Sequence, residues 1–483
     1  MSAETMEEPG TADLPLAVDL DGTLIHGDTF FESILSYLGS NPLGAIALAG
    51  WFTKGRAFTK AKLADYAPKA DEVPYDVRLL AWLREEKARG RRLALATATD
   101  RKIADEIAAH VGLFDDVFAS DGVTNLKSAR KAEALSAAYP DGFVYAGNEI
   151  ADLTVWEKAK GAVVVNADDT LQFRAAALTT VERVLPDERD AKAALQKALR
   201  PRQWVKNILV FIPLIAAQGW ADLQGWQNAL MAFVALCCAA SSVYLFNDAF
   251  DIPADRRHPR KRNRPFATGA LSPARGIAVA VGLAGAALLV GWAAHVLVLT
   301  LTYMALSSLY TVWMKRLVVV DIFVLASLYG LRVLLGGEAS GHPASSWMLA
   351  FCGFFFLSLA LVKRVTEIEG APENIRRGYK IEDAPVLKAM GVGSAFAASL
   401  VLALYVQSDV AMFTYNSPMW LWLLPGAVIF WLCRVWLLTG RGEMPDDPVV
   451  HAVSDRMSLV MALVAALAYA AAVLDFDLLA VLF

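Results

Sequence analysis

Charge is scarce in this chain. Only 19% of its 483 residues are charged, whereas 56% are hydrophobic. Soluble domains carry about 25% charged residues and about 45–50% apolar ones, which excludes a simple soluble enzyme. Cysteine is scarcer still. Cys237, Cys238, Cys352 and Cys433 all lie in apolar runs without C-x-x-C spacing, which excludes the usual zinc and redox motifs and a secreted disulfide framework. Glycine (32) and proline (20) are not enriched, so the chain is neither collagen-like nor a low-complexity polymer. The opening MSAETMEEPG has neither the basic start nor the apolar run of a signal peptide. Residues 1–12 are therefore expected to be a disordered tail, and the domain after them to stay in the cytoplasm.

The net charge of −4 averages two unlike pieces. Residues 1–200 hold 24 Lys and Arg against 31 Asp and Glu, net −7, and residues 201–483 hold 21 against 18, net +3. Nothing in this balance points to nucleic acid. From Trp204 onward, apolar runs recur at the length that crosses a bilayer, about 20 residues. About nine spans are expected, near 206–219, 226–246, 275–293, 296–313, 319–337, 346–362, 389–407, 418–438 and 457–474. The connections near 220–225, 294–295, 338–345 and 408–417 contain no Lys or Arg, and the alternate set carries RRHPRKRNR, MKR and KR…RRGYK. The positive-inside rule assigns the basic set to the cytoplasm and, with nine spans, the C-terminus to the opposite side of the inner membrane.

Between Asn247 and Pro265 the chain reads NDAFDIPADRRHPRKRNRP. Asp248, Asp251 and Asp255 stand at i, i+3 and i+7, one face of a helix, which Pro253 must bend or end. Three carboxylates so close call for a cation, and hard oxygen ligands suit Mg²⁺ with substrate phosphates completing its shell. The basic residues that follow, among them Arg256, Lys261 and Arg264, suit phosphate. A positive-inside loop with solvated acids is the alternative. A second segment, YTVWMKRLVVVD from Tyr310, delivers Asp321 into the fifth span, with Lys315 before it and Arg332 further in. Ionisable groups inside spans are functional candidates by default, and an inter-helix pair is the other reading of Arg332.

This pattern resembles the UbiA superfamily of intramembrane prenyltransferases. The D-R-x-H-P-x-K continuation, RPRQWVKN from Arg200 to Asn207, Tyr310 and Lys315 with Asp321, and KRVTE from Lys363 resemble its decaprenyl-phosphate phosphoribosyltransferase branch. The resemblance covers roughly residues 197–483. It implies an all-α bundle over 200–483, Mg²⁺ dependence, and catalytic Asp248, Asp251, Asp255 and Asp321. Substrate contacts are implied for Lys206, Asn247, Arg256, His258, Lys261, Arg264, Tyr310, Lys315, Arg332, Lys363 and Arg364; His258 either orients the loop or binds phosphate. Aromatic prenyltransferases carry a second D-x-x-x-D, but here Asp321 is followed by IFVL. The implied donor is phosphoribosyl diphosphate and the acceptor a polyprenyl phosphate. The alternatives are prenyl transfer from a prenyl diphosphate to a small aromatic acceptor, or a non-catalytic lipid-binding or transport protein.

Ahead of this part, LPLAVDLDGTLI is an apolar strand running into Asp19, Asp21 and a turn at Gly22. The D-x-D-G-T-L resembles the first motif of the haloacid dehalogenase superfamily. That implies an α/β parallel sheet over 13–180, a helical cap at 28–80, a nucleophilic Asp19 and an acid–base Asp21. The later motifs arrive in order: Thr97 closing LALAT, Lys131 opening KAEAL (Lys127 the lesser substitute), and FVYAGNEIAD from Phe143. The family usually places Asp after that glycine as a Mg²⁺ ligand. Here it is Asn148, with Asp152 or Glu149 as compensation. Asp19, Asp21, Asn148 and Asp152 are thus the implied metal set. Residues 181–199 read as a charged helical linker.

Overall fold

The computed structural model describes residues 13–370, 378–445 and 447–474. The expected tail 1–12, the arginines of RRGYK (Arg376, Arg377) and the extreme C-terminus lie outside the described residues. The chain forms two units, residues 1–199 with 245–279, and residues 200–244 with 280–483.

The first unit is built on six parallel strands, β1 (Leu16–Val18), β2 (Leu93–Asp100), β3 (Asp116–Ser120), β4 (Val144–Gly147), β5 (Gly161–Val165) and β6 (Thr180–Leu185). Their order is β3-β2-β1-β4-β5-β6. Successive residues feed opposite faces, as the period of two demands. Leu16, Val18, Leu95, Ala146 and Val163 join one buried cluster, and Ala17, Ala94, Ala96, Tyr145 and Val164 join the other. A sheet covered on both faces needs such continuous apolar strands. Helices Thr29–Ser40, Ala45–Thr53 and Arg56–Leu63 supply the expected cap between β1 and β2. An Ile25–Tyr75 bridge closes its stem.

The linker needs correction. Residues 180–185 are the sixth strand, and only Ala191–Leu199 is helical. The apolar alternation of Val181 and Val184–Leu185 is short, and the edge of β5 completes it. The segment 245–279 also belongs with the N-terminal unit rather than with the helices that flank it in sequence.

The second unit is all helical. Among the described residues of the chain, seven helices are long and apolar enough to cross a membrane: Leu223–Phe250, Pro273–Ala293, Val320–Ser340, Ser346–Gly370, Ile381–Val406, Pro418–Gly440 and Arg456–Val473. The chain is an integral membrane protein. Leu297–Val312, read as a span, is a shorter apolar helix. The expected first span builds instead as a 3₁₀ segment, Pro201–Phe211, followed by a short α-helix, Ile212–Ala216. Pro201 and Pro213 each start a helical piece, where a missing N–H costs least. Close approach of helices relies on small residues. A Cβ on Gly391 would meet Trp436 at 1.9 Å, and one on Gly336 would meet the Val210 carbonyl at 1.9 Å.

Candidate functional site

In the first unit, the carboxyl ends of β1, β2 and β4 gather one set of polar side chains, the position where open parallel sheets bind ligands. Asp19 is buried, and its Oδ1 accepts a 2.7 Å hydrogen bond from Lys131 Nζ. The same ammonium donates to Tyr145 Oη at 2.8 Å. Burial pushes the Asp19 carboxyl up to about 7, although Lys131 pulls the other way. Asp21 accepts from the Thr29 amide at 2.7 Å and from the Thr99 hydroxyl at 2.8 Å. Burial raises its pKa as well. Thr97 is buried and accepts the Thr99 amide at 3.0 Å.

The structure chooses between the lysines. Lys131 takes Asp19, while Lys127 faces Glu149 across 3.5 Å near the surface. Two residues escaped the sequence reading. Thr99 follows Thr97 by two residues where the register of β2 shifts, and its hydroxyl reaches Asp21. Lys60 comes from the cap helix Arg56–Leu63 and donates to the Ala98 carbonyl at 2.5 Å and to Asn125 Oδ1 at 3.2 Å. Burial lowers its pKa, with Asp21 and Asp28 opposing. No local pattern distinguishes Lys60 from its neighbours Lys54 and Lys62.

The compensation expected of Asp152 is corrected. Its Oδ1 accepts from Tyr145 Oη at 2.9 Å, and its Oδ2 accepts the Asn148 and Glu149 amides, both at 2.9 Å. Asp152 thus ties down the turn after β4. Asn148 Oδ1 accepts from the Thr23 hydroxyl at 3.1 Å. Its amide lies so near Gly22 (φ +79°) that a Cβ there would come within 2.3 Å of Nδ2. With Asn148 neutral and engaged and Asp152 spent, these residues do not fit a strong Mg²⁺ site.

The acidic loop belongs to the same unit. Helix Leu223–Phe250 carries Asn247 and Asp248 to its end, and a short helix, Ile252–Arg256, restarts with Pro253 in its first turn. The Asp251 amide donates to the Asn247 carbonyl at 2.9 Å, and the Asp255 amide to the Asp251 carbonyl at 2.8 Å. The proline therefore starts a new turn where a break was expected. Asp248 and Asp255 are buried, and Arg264 Nη1 bridges them at 2.9 and 2.8 Å. Burial raises the Asp255 pKa, with Arg264 opposing.

The triad is corrected in one respect. Among the described residues no three His, Cys, Asp or Glu side chains are placed to hold a single ion. Two converge, around a guanidinium. A buried carboxylate pair that already holds a cation fits Mg²⁺ in donor chemistry. Arg256 is also corrected. Both its terminal nitrogens bind Glu32, at 2.7 and 2.9 Å, and its Nε donates to the Ala267 carbonyl. Its charge is used within the protein. His258 Nδ1 accepts the amides of Arg260 and Lys261 and so orients the loop. Lys261 lies exposed on it.

In the second unit, Asp321 is fully buried at the start of Val320–Ser340. Tyr379 Oη donates to its Oδ1 at 2.6 Å, and Arg364 Nη2 lies 2.5 Å from its Oδ2. Arg364 also pairs with Glu367 and lies 3.5 Å from Tyr310 Oη. Its Nε and the Thr366 hydroxyl are buried without a hydrogen-bond partner among the described residues. Lys315 is half-buried on the turn Met314–Arg316.

Lys206 pairs with Asp447 and lies over the Tyr329 ring. Burial works against the Asp447 charge, but Lys206 and Lys363 hold its carboxyl below the usual range. Arg332 donates to Asn207 Oδ1 at 2.9 Å, to Tyr303 Oη at 3.0 Å and to the Leu328 carbonyl. Its substrate role is corrected to the alternative reading, an inter-helix clamp. Tyr379, Asp447 and Asn207 were not singled out from sequence. Each acts through a partner more than 50 positions away.

Residues 208–451 match the model of the UbiA prenyltransferase family. The chain is 36% identical over 464 residues to the uncharacterized protein y4nM of Sinorhizobium fredii, covering 92% of this chain and 88% of that one. It is 36% identical over 222 residues to the decaprenyl-phosphate phosphoribosyltransferase of Mycobacterium tuberculosis, covering 44% of this chain and 74% of the relative. A substrate-bound phosphoserine phosphatase structure is similar to 38% of this chain and 97% of its own, with a TM-score of 0.27 and 16% identity.

Proposed function

The chain belongs to the UbiA prenyltransferase family, with a haloacid dehalogenase-like α/β unit ahead of its membrane helices, and from that premise we propose that it moves 5-phosphoribose from phosphoribosyl diphosphate to a polyprenyl phosphate. It is an enzyme, a membrane transferase. Asp321 carries the finer reading. Where a second D-x-x-x-D would add a carboxylate, this chain continues IFVL, and Asp321 is held by Arg364 and Tyr379. A guanidinium with an unused buried Nε is suited to an anionic phosphate. The resemblance to a named decaprenyl-phosphate phosphoribosyltransferase supports the same substrate class.

In this reading the converging pair Asp248 and Asp255 would hold Mg²⁺, which would neutralise charge on a leaving diphosphate. Lys261, Lys363 and Arg364 are the cations we assign to phosphate groups, since Arg264 already balances Asp248 and Asp255. A lipid phosphate oxygen attacks the anomeric carbon as diphosphate departs. The nucleophile is already anionic near neutral pH, so no strong general base is required. We place the protein in the inner membrane, with the N-terminal unit and basic loops on the cytoplasmic side and the C-terminus opposite.

For the N-terminal unit we propose removal of the 5-phosphate from that product. Asp19 takes up the phosphoryl group, Asp21 protonates the departing ribose oxygen and later activates water, and Thr97 and Lys131 hold the phosphoryl oxygens.

Purified protein with labelled phosphoribosyl diphosphate and polyprenyl phosphate is expected to label lipid, and Asp248→Ala or Asp255→Ala to abolish transfer. Labelling from prenyl diphosphate onto an aromatic acceptor instead would replace the donor assignment. The Asp19→Asn variant is expected to accumulate phosphorylated lipid. Identical phosphorylated product from both proteins rejects the phosphatase step.

A further inference from the structure

The cap of the first unit carries a helix, Ala45–Thr53, whose sequence AIALAGWFT contains no charged residue and only one polar side chain, its last. A helix on a soluble surface turns a polar face outward. This one turns apolar groups outward. Leu48 is buried, and Trp51 packs beside it against the cluster of Tyr37, Leu48 and Leu63. Leu43 just before the helix is 89% exposed, Ile46 83% and Phe52 43%. Ala45, Ala47 and Ala49 are exposed as well.

The surrounding charge has one sign. Between Glu32 and Asp65 the chain has no acidic residue and four basic ones, Lys54, Arg56, Lys60 and Lys62. Lys60 turns inward to Ala98 and Asn125. Lys54, Arg56 and Lys62 are exposed. Lys54 and Lys62 lie over the Phe58 ring at 5.3 and 5.7 Å. Apolar side chains, a Trp–Phe pair and flanking cations are the composition of a helix lying in a lipid interface. The chain's own spans keep a bilayer at high effective concentration.

We propose that Leu43, Ile46 and Phe52 insert into the surface of an anionic membrane, with Lys54, Arg56 and Lys62 against lipid phosphates. The cap that brings Lys60 to Ala98, beside the β2 threonines, is thereby a lipid-facing lid. This surface is independent of which phosphomonoester the site beneath accepts.

The test uses the full chain in nanodiscs of phosphatidylglycerol and phosphatidylcholine. An environment-sensitive fluorophore is placed on Ile46→Cys, with Cys433→Ser removing the exposed native thiol. A second probe on Phe173→Cys, 78% exposed on helix Asp169–Ala176, serves as reference. At position 46, blue-shifted emission, quenching by acyl-brominated lipid and protection from iodide are expected. Lys54→Glu with Arg56→Glu should severalfold weaken that protection. Ile46→Ser should leave the thermal transition unchanged, because the side chain is 83% exposed. An iodide-accessible probe that brominated lipid does not quench overturns the proposal, as does equal protection at position 173. Protection only in discs holding two chains also overturns it and assigns the patch to a second copy.

Discussion

Glu32 and Arg256 form a buried bidentate ion pair, 2.7 and 2.9 Å between nitrogen and oxygen, with both side chains about 5–6% exposed. Glu32 shares a helix with Thr29, whose amide holds Asp21. Arg256 directly follows Asp255. One ion pair therefore ties together the two segments that carry the motif aspartates. Removing one partner of a buried pair costs about 3–5 kcal/mol, because the other charge stays buried and unpaired. Glu32→Ala is expected to destabilise the unit by that order and to weaken lipid labelling as the acidic loop loosens. Glu32→Gln, which can still accept one hydrogen bond, should lose less. Urea unfolding followed by limited proteolysis reads the difference, and an unchanged midpoint in Glu32→Ala would refute the role given to the pair.

Burial pushes the Asp19 carboxyl from an ordinary 3.8 up to about 7, with Lys131 opposing. A nucleophile must be ionised, so phosphatase activity on a small aryl phosphate should rise with pH up to about 7. Stability runs the other way. Between the two values the folded state holds a proton that the unfolded chain has released, so this group's contribution falls as pH rises through the window. Lys131→Met removes the cation that opposes burial, and the acid limb of the rate profile should move to higher pH. A limb that stays in place would separate Lys131 from Asp19.

Asn148 offers a metal only an amide oxygen, and Thr23 already uses it. Phosphatase activity of the native protein should respond weakly to added Mg²⁺. Asn148→Asp adds a charged oxygen donor of nearly the same shape and is expected to lower the Mg²⁺ concentration for half-activation by about tenfold, a change of about 1.4 kcal/mol. A Mg²⁺ titration of both proteins decides the point. Equal half-activation would show that position 148 is not a ligand.

Arg264 balances Asp248 and Asp255 from between them. Arg264→Met leaves two buried carboxylates facing each other. Transfer should fall, and the thermal midpoint should drop in chelator and recover with millimolar Mg²⁺, because an added cation then replaces the guanidinium. No recovery with Mg²⁺ would argue against the acidic loop as a cation site.

Much of this was legible in sequence because it is local. Alternating apolar strands, D-x-D-G-T-L and apolar runs of bilayer length each express their physics within a few turns of chain. Residues whose meaning depends on a distant partner were not legible. Thr99 and Lys60 look like their neighbours until the sheet and cap fold around Asp21. Asp152 reads as a metal ligand until Tyr145 and two amides consume its oxygens. Arg256 reads as one more phosphate-binding cation until Glu32, 224 positions earlier, neutralises it.

The sequence by itself determined the two kinds of domain, the membrane and the order of the motifs, since hydrophobic periodicity and spacing are properties of neighbouring residues. Only the tertiary structure decided how each charge is used. Buried charges must be paired, and the identity of the partner is set by long-range packing. That packing assigned Lys131 to Asp19, Arg264 to two aspartates, Arg256 to Glu32, and Arg332 to an inter-helix clamp.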